Sequence, residues 1–179
     1  MISTVQTLLP YVILVSHGVF VVLLLSLVFR KSWGKDLVYF VGKHSILLAF
    51  LVSLAAISGS LFYSEMVGFE PCILCWWQRV FIYPQVILFG TALWKRNKSA
   101  FLYSVPLISI STLISFYHEY VYLGGKSLLP CTALGGACSK IYVMAFGYIT
   151  IPMMSLTAAL FILLLAWAHR IYEKNSHTR

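Results

Sequence analysis

Four cysteines fall in two close pairs. Cys72 and Cys75 form a C-x-x-C in PCILCWWQRV, and Cys131 and Cys138 bracket six residues in PCTALGGAC. Paired thiols support three kinds of chemistry. They can brace a fold as inert disulfides, although a C-x-x-C bridge closes too small a loop to stabilise much, since the entropic gain grows with loop length. They can hold zinc, but zinc sites usually join two C-x-x-C hairpins, and the second pair here has wider spacing and no histidine ligand nearby in sequence. They can cycle between dithiol and disulfide as a redox relay, by thiolate attack on a disulfide sulfur. Spacing and position favour the relay, and the other two remain open at this point. Arg79 lies four residues after Cys75, on the same helix face if the segment is helical. A guanidinium there would stabilise a thiolate or hydrogen-bond a ligand oxygen. The competing reading is an arginine that snorkels to the membrane surface.

The elements that must position these residues are written in the composition. The chain has 179 residues, is 60% hydrophobic and only 10% charged, and has a mean hydropathy of +0.88. A soluble domain has about 45–50% apolar and about 25% charged residues, so a soluble enzyme is excluded. Disorder is excluded as well, because it requires low hydrophobicity. Five apolar runs reach the roughly 20 residues needed to cross a bilayer: Leu8 to Phe29, His44 to Tyr63, Trp76 to Trp94, Ala100 to Leu123 and Tyr148 to His169. The first run exceeds the roughly 7–15 residues of a signal-peptide core, with no basic residue before it and no small-residue cleavage site after it. It reads as a retained span. The expected architecture is all-α: a polytopic membrane bundle with a four-helix core over residues 44–169, an extra N-terminal transmembrane helix and loop over 1–43, and a tail over 170–179.

Net charge is +8, from 13 Lys and Arg against 5 Asp and Glu. On a soluble protein that would suggest nucleic acid. Here the cations gather in alternate loops. Arg30, Lys31, Lys35 and Lys43 follow the first run, Lys95, Arg96 and Lys98 the third, and Arg170, Lys174 and Arg179 the fifth. The positive-inside rule makes these loops cytoplasmic. The N-terminus and both cysteine pairs then lie outside, where disulfides persist. The apolar run that begins at Trp76 puts Cys72 and Cys75 at or just before a helix N-terminus, where the helix dipole favours a thiolate. Trp76, Trp77, Tyr63 and Tyr83 read as an aromatic belt at the outer interface, or as the walls of a flat slot for a planar lipid-soluble cofactor.

The pattern P-C-x-x-C-W-x-Q-R, followed by an apolar span with Tyr83-Pro84, resembles the DsbB/BdbC family of membrane disulfide-generating oxidases, and its short BdbC branch in particular. Tyr117-His118 near the outer end of the fourth run, Cys131 to Cys138 followed by Ser139, and Phe146 to Leu156 (FGYITIPMMSL) extend the likeness over about residues 44–169. The resemblance implies a four-helix enzyme of the bacterial cell membrane that reoxidises an extracytoplasmic, DsbA-like thioredoxin-fold partner. It implies electron flow from that partner to Cys131 and Cys138, then to Cys72 and Cys75, then to ubiquinone or menaquinone beside Arg79. The N-terminal span lies outside the likeness. The Cys131–Cys138 loop is also much shorter than its counterpart in the long DsbB branch.

Further readings follow. In motifs of this type the first cysteine, Cys72, is the more exposed sulfur and meets the second pair, while Cys75 lies deeper on the Arg79 face. Gly124, Gly125, Gly135 and Gly136 give the second loop freedom to move. SKIYVMAFG, after Cys138, reads as an interfacial segment. Gln78 and His118 are the other polar candidates for the ligand site, with a backbone-bonded interfacial histidine as the alternative for His118. Glu119 reads as solvated, and His17, His44, His169 and His177 carry no assigned role. Expected partners are the thioredoxin-like protein and membrane lipid, with no nucleic acid and no metal. Rival functions are a scaffold with structural disulfides, an outward electron conduit, which would need cysteines inside its spans, and a vitamin-K-epoxide-reductase-like enzyme, whose cysteine pairs come in the opposite order.

Overall fold

The computed structural model describes residues 2–30, 34–127 and 138–176. Five long helices stand where the apolar runs predict them: α1 (Ile2–Val28), α3 (Ser45–Leu61), α4 (Ile73–Trp94), α5 (Ala100–Tyr122) and α6 (Ile151–Ser176), with the shorter α2 (Lys35–Lys43) between the first two. A π-helical turn, Phe62–Met66, prolongs α3. Helices α3, α4, α5 and α6 close a ring, each packed on its two neighbours, whereas α1 lies outside it against α2 and α6. This is an all-α bundle of a multi-pass membrane protein. Among the described residues four helices are long and apolar enough to cross a bilayer: Val5–Val28, Ser45–Met66, Ala100–Tyr122 and Ile151–Asn175. Helix α4 matches them in length, but Gln78, Arg79 and Gln85 lower its hydropathy. The most apolar window of α1 is only 11% buried, so that helix leaves most of its surface outside the bundle.

Close packing in lipid requires small or polar contacts, because apolar burial gives helices no preference for one another over lipid tails. Helix α5 supplies them in a stripe at alternating steps of four and three: Ser104, Ile108, Ser111, Ser115, His118 and Tyr122 are all buried. Ser104 Oγ donates to Gln85 Oε1 of α4 at 2.6 Å. At the opposite end from the cysteines, buried His169 of α6 contacts Ser45 Oγ of α3 at 2.8 Å and the Lys98 carbonyl before α5 at 3.1 Å. That histidine therefore ties three helices together.

Two segments differ from the sequence reading. Residues 35–43, expected as loop, form α2, because Val38, Val41 and Gly42 recur on one face and are buried against α6. A Cβ on Gly42 would lie 2.5 Å from Tyr172 Cβ and 2.9 Å from the Ala168 carbonyl oxygen. Gly42→Ala is expected to destabilise the bundle by about 1–3 kcal/mol, the usual cost of overpacking, seen as a lower melting temperature in detergent. The fifth span begins at Ile151 rather than Tyr148. A short hairpin, β1 (Met144–Ala145) with β2 (Ile149–Thr150), precedes it and turns through Phe146 and Gly147 at positive φ. Cys131, Gly135, Gly136, His177, Lys31 and Arg179 lie outside the described residues.

Candidate redox site

The site is built where α4 begins. Cys72 is the N-cap of α4, extended at φ −72° and ψ 172°, and its sulfur accepts the Cys75 backbone N–H at 3.4 Å. A side-chain acceptor at this position satisfies one of the unpaired donors of the first turn. The two sulfurs lie 3.1 Å apart, and both cysteines are free. His118 enters from α5 with Nε2 3.5 Å from Cys72 Sγ, and Gln78 Nε2 lies 3.0 Å from His118 Nδ1. With the Gln78 amide donating, Nδ1 is the acceptor, and the imidazole proton sits on Nε2, directed at Cys72. Two N–H donors thus converge on Cys72 Sγ, so the proton shared by the pair belongs on Cys75. The Cys75 hydrogen bond, followed by that of His118, holds the Cys72 thiol well below its usual range against the opposing effect of burial.

Cys72 does cap the helix, but it is the more buried residue of the pair, at 5% exposure, while Cys75 is half-buried. The order of exposure is reversed because Cys72 turns back over its own helix end and is covered by Leu74, Val121 and Cys138. Cys138 is buried in this cluster and disulfide-bonded. Tyr117 packs against the same cluster. His118 is 2% exposed and contacts side chains rather than backbone. It also supplies the histidine that the sequence does not place near the thiols: the donor atoms of Cys72, Cys75 and His118 all lie within 4.8 Å of one another.

Arg79 does not snorkel. Its Nε–H donates to Ser60 Oγ at 3.0 Å, one terminal nitrogen donates to the Ser60 carbonyl at 3.3 Å, and the guanidinium lies 5.3 Å from the Trp76 ring centroid. Tyr83 OH also donates to Ser60 Oγ, at 3.2 Å. Ser60 is thus a positioning residue missed in the sequence. Its only mark there is a pair of serines around Gly59 in an otherwise apolar run. Trp76 and Trp77 are exposed, whereas Tyr63 turns inward. Glu119 is half-buried rather than solvated and accepts a hydrogen bond from Thr150 Oγ1, which itself accepts the Met153 N–H in the first turn of α6. His17 contacts Thr157 Oγ1 at 2.9 Å and so ties α1 to α6.

A cavity of about 890 Å³ opens beside the thiols. Cys72, Cys75, Gln78, Arg79, His118 and Tyr63 are among its polar and sulfur groups, and Leu9, Val12 and Ile13 of α1 form part of its apolar wall. Tyr63 is 4% exposed, and its hydroxyl has no hydrogen-bond partner among the described residues. An apolar cavity with a few convergent polar groups is the usual form of a small-molecule site.

A bundle of spanning helices that holds a free C-x-x-C beside a disulfide-bonded cysteine has the makings of a membrane thiol–disulfide oxidoreductase. The family model described as "Disulfide bond formation protein DsbB" matches residues 42–169. The chain belongs to the DsbB family. It is 41% identical over 113 residues to the SPbeta prophage-derived disulfide bond formation protein B of Bacillus subtilis, covering 63% of this chain and 76% of that one. It is 38% identical over 119 residues to a probable disulfide formation protein C of Bacillus cereus, covering 64% and 83%. It is 39% identical over 129 residues to a probable disulfide formation protein of Oceanobacillus iheyensis, covering 69% and 86%. No solved structure matches. Family and fold together make this a multi-pass membrane disulfide oxidoreductase.

Proposed function

We propose that residues 44–169 form a thiol oxidase unit of the bacterial cell membrane, with both cysteine pairs on the extracytoplasmic side. It accepts electrons from a DsbA-like, thioredoxin-fold dithiol and delivers them to a membrane quinone. The observation that carries this reading is the grouping of Cys72, Cys75 and Cys138 in one cluster that, with Arg79, lines the cavity.

In the proposed cycle Cys131 and Cys138 form the first disulfide. A partner thiolate attacks it, a mixed disulfide forms, and the partner's second thiol releases the partner oxidised. The resulting Cys131/Cys138 dithiol attacks the Cys72–Cys75 disulfide at Cys72, and Cys75 leaves as the thiolate. The remaining loop thiolate then resolves the mixed disulfide, and Cys72 leaves. Its departure is eased by the donors that converge on it, since a less basic thiolate leaves faster. The pair Cys131–Cys138 is thereby restored and Cys72–Cys75 is left reduced by two electrons.

The cavity suits a quinone. Its walls are largely apolar, and the unpartnered Tyr63 hydroxyl and the Arg79 guanidinium are donors for carbonyl oxygens. A bound quinone supplies a two-electron, two-proton acceptor for the Cys72/Cys75 dithiol. Ser60 holds Arg79 at the cavity, and Gln78 holds the His118 ring. The walls contributed by α1, outside the region matched by the family model, would enclose one side of the ligand.

Arg79→Ala tests the reading. Loss of a hydrogen bond from a charged group costs about 1.5–3 kcal/mol. The KM for quinone is therefore expected to rise about 10- to 100-fold with the KM for the dithiol partner unchanged. A rise confined to the partner's KM would contradict a quinone site at Arg79.

A further inference from the structure

We infer that the reduced C-x-x-C and His118 form a zinc site, so that bound metal and the Cys72–Cys75 disulfide exclude each other. This inference stands apart from the quinone and partner assignments, because metal binding is read directly.

The geometry comes first. A tetrahedral zinc with bonds of about 2.3 Å to sulfur and about 2.0–2.1 Å to nitrogen separates a thiolate from an imidazole by about 3.5 Å and two thiolates by about 3.8 Å. Cys72 Sγ already lies 3.5 Å from His118 Nε2. The 3.1 Å between the sulfurs must open by about 0.7 Å, a modest side-chain adjustment at the start of α4. Two soft thiolates and an imidazole are the donors that zinc prefers. Cys72 and His118 are buried and Cys75 half-buried, which limits competition from water. All three line the cavity, so a fourth coordination position is left open toward it.

The surroundings fit as well. A metal on Nε2 requires the proton on Nδ1, and that proton needs an acceptor. Turning the Gln78 carboxamide over places its oxygen where its nitrogen now lies, 3.0 Å from Nδ1. The two ends of an amide are nearly identical in shape. The same contact therefore orients the ring for either task, as a metal-bound histidine requires. On binding, the one proton that the pair shares leaves Cys75, the imidazole proton moves from Nε2 to Nδ1, two zinc–sulfur bonds and one zinc–nitrogen bond form, and no electrons are transferred. Thiolates held in this way cannot join as a disulfide, so zinc arrests the chain in its reduced state.

The full-length chain in detergent tests this, carrying Cys138→Ser so that the second pair cannot chelate, alongside the unaltered chain. Each is reduced with a phosphine or oxidised, and zinc is titrated against a chromophoric chelator. One zinc per reduced Cys138→Ser chain is expected, and none after oxidation. Cobalt in place of zinc should give thiolate charge-transfer absorption and the intense visible bands of a tetrahedral site. Gln78→Ala should weaken binding about 10- to 100-fold, Gln78→Glu should tighten it, and His118→Ala should weaken it more than Gln78→Ala does. Equal binding to the oxidised chain would overturn the inference. So would His118→Ala with unchanged affinity, or no binding by Cys138→Ser where the unaltered chain binds, which indicates a four-cysteine site. Should His118→Ala fail to fold, a cobalt spectrum of the Cys138→Ser chain with weak octahedral bands and no thiolate absorption overturns it independently.

Discussion

A chain carrying Cys75→Ser is expected to yield a Cys72–Cys138 disulfide that an alkylating agent traps, and to lose turnover by at least about 10³-fold, since residues that act as a unit lose nearly all activity when one is removed. Cys72 and Cys138 share one buried cluster with Leu74 and Val121. Without Cys75, the Cys72 thiolate has no partner on its own helix. It attacks the proposed Cys131–Cys138 disulfide at the Cys138 sulfur of the same cluster, and Cys131 leaves as a free thiolate. Cys131 can return to resolve the bond, as it does in the cycle, so an alkylating agent is supplied to cap it and trap the cross-link. Peptide mapping by mass spectrometry under non-reducing conditions should find the Cys72–Cys138 cross-link and an alkylatable Cys131. A Cys75→Ser chain that yields neither the cross-link nor alkylated Cys131 with the alkylating agent present would show that the two pairs do not exchange.

His118→Ala carries the second large effect. His118 Nε2 faces Cys72 Sγ at 3.5 Å, and a hydrogen bond to a charged group contributes about 1.5–3 kcal/mol. Loss of that donor should slow the steps in which Cys72 leaves as a thiolate about 10- to 100-fold, at 1.36 kcal/mol per factor of ten. The sign of the pH effect follows from the cause. The donors hold Cys72 below its usual thiol range, so removing one raises the midpoint at which Cys72 becomes alkylatable in the reduced chain. At a fixed pH less thiolate is present. His118→Gln, which retains an N–H donor, should recover part of the loss. An unchanged midpoint in His118→Ala would mean that the imidazole acts only in packing.

Much of this arrangement is legible in the sequence, for identifiable reasons. Apolar length alone gives the five long helices, because a bilayer demands it. The helical run from Trp76 puts Cys72 and Cys75 at a helix start, and Cys72 is indeed the N-cap. The meeting of His118 with Gln78 and Cys72 is harder to read, since they are 40 and 46 residues apart in the chain. Their contact depends on the register of α5 against α4. That register has a sequence trace in the alternating stripe of Ser104, Ser111, Ser115 and His118. The exposure of Cys72 is misread because the burying groups, Val121 and Cys138, come from distant segments. Ser60 is missed because a serine in an apolar span bears no mark of the arginine it holds. Helix α2 is missed because its nine residues carry enough charge to pass for a loop.

In the proposed relay, electrons entering at the second cysteine pair leave through the C-x-x-C to a quinone. The most direct measurement supplies the purified chain in detergent with a reduced thioredoxin-like dithiol and a short-chain quinone, and follows quinone absorbance, with Cys72→Ser and Cys138→Ser alongside. One quinone reduced per dithiol oxidised is expected in the intact chain, and none in either variant. An intact chain that reduces no quinone, with cysteines inert to exchange, would contradict the relay.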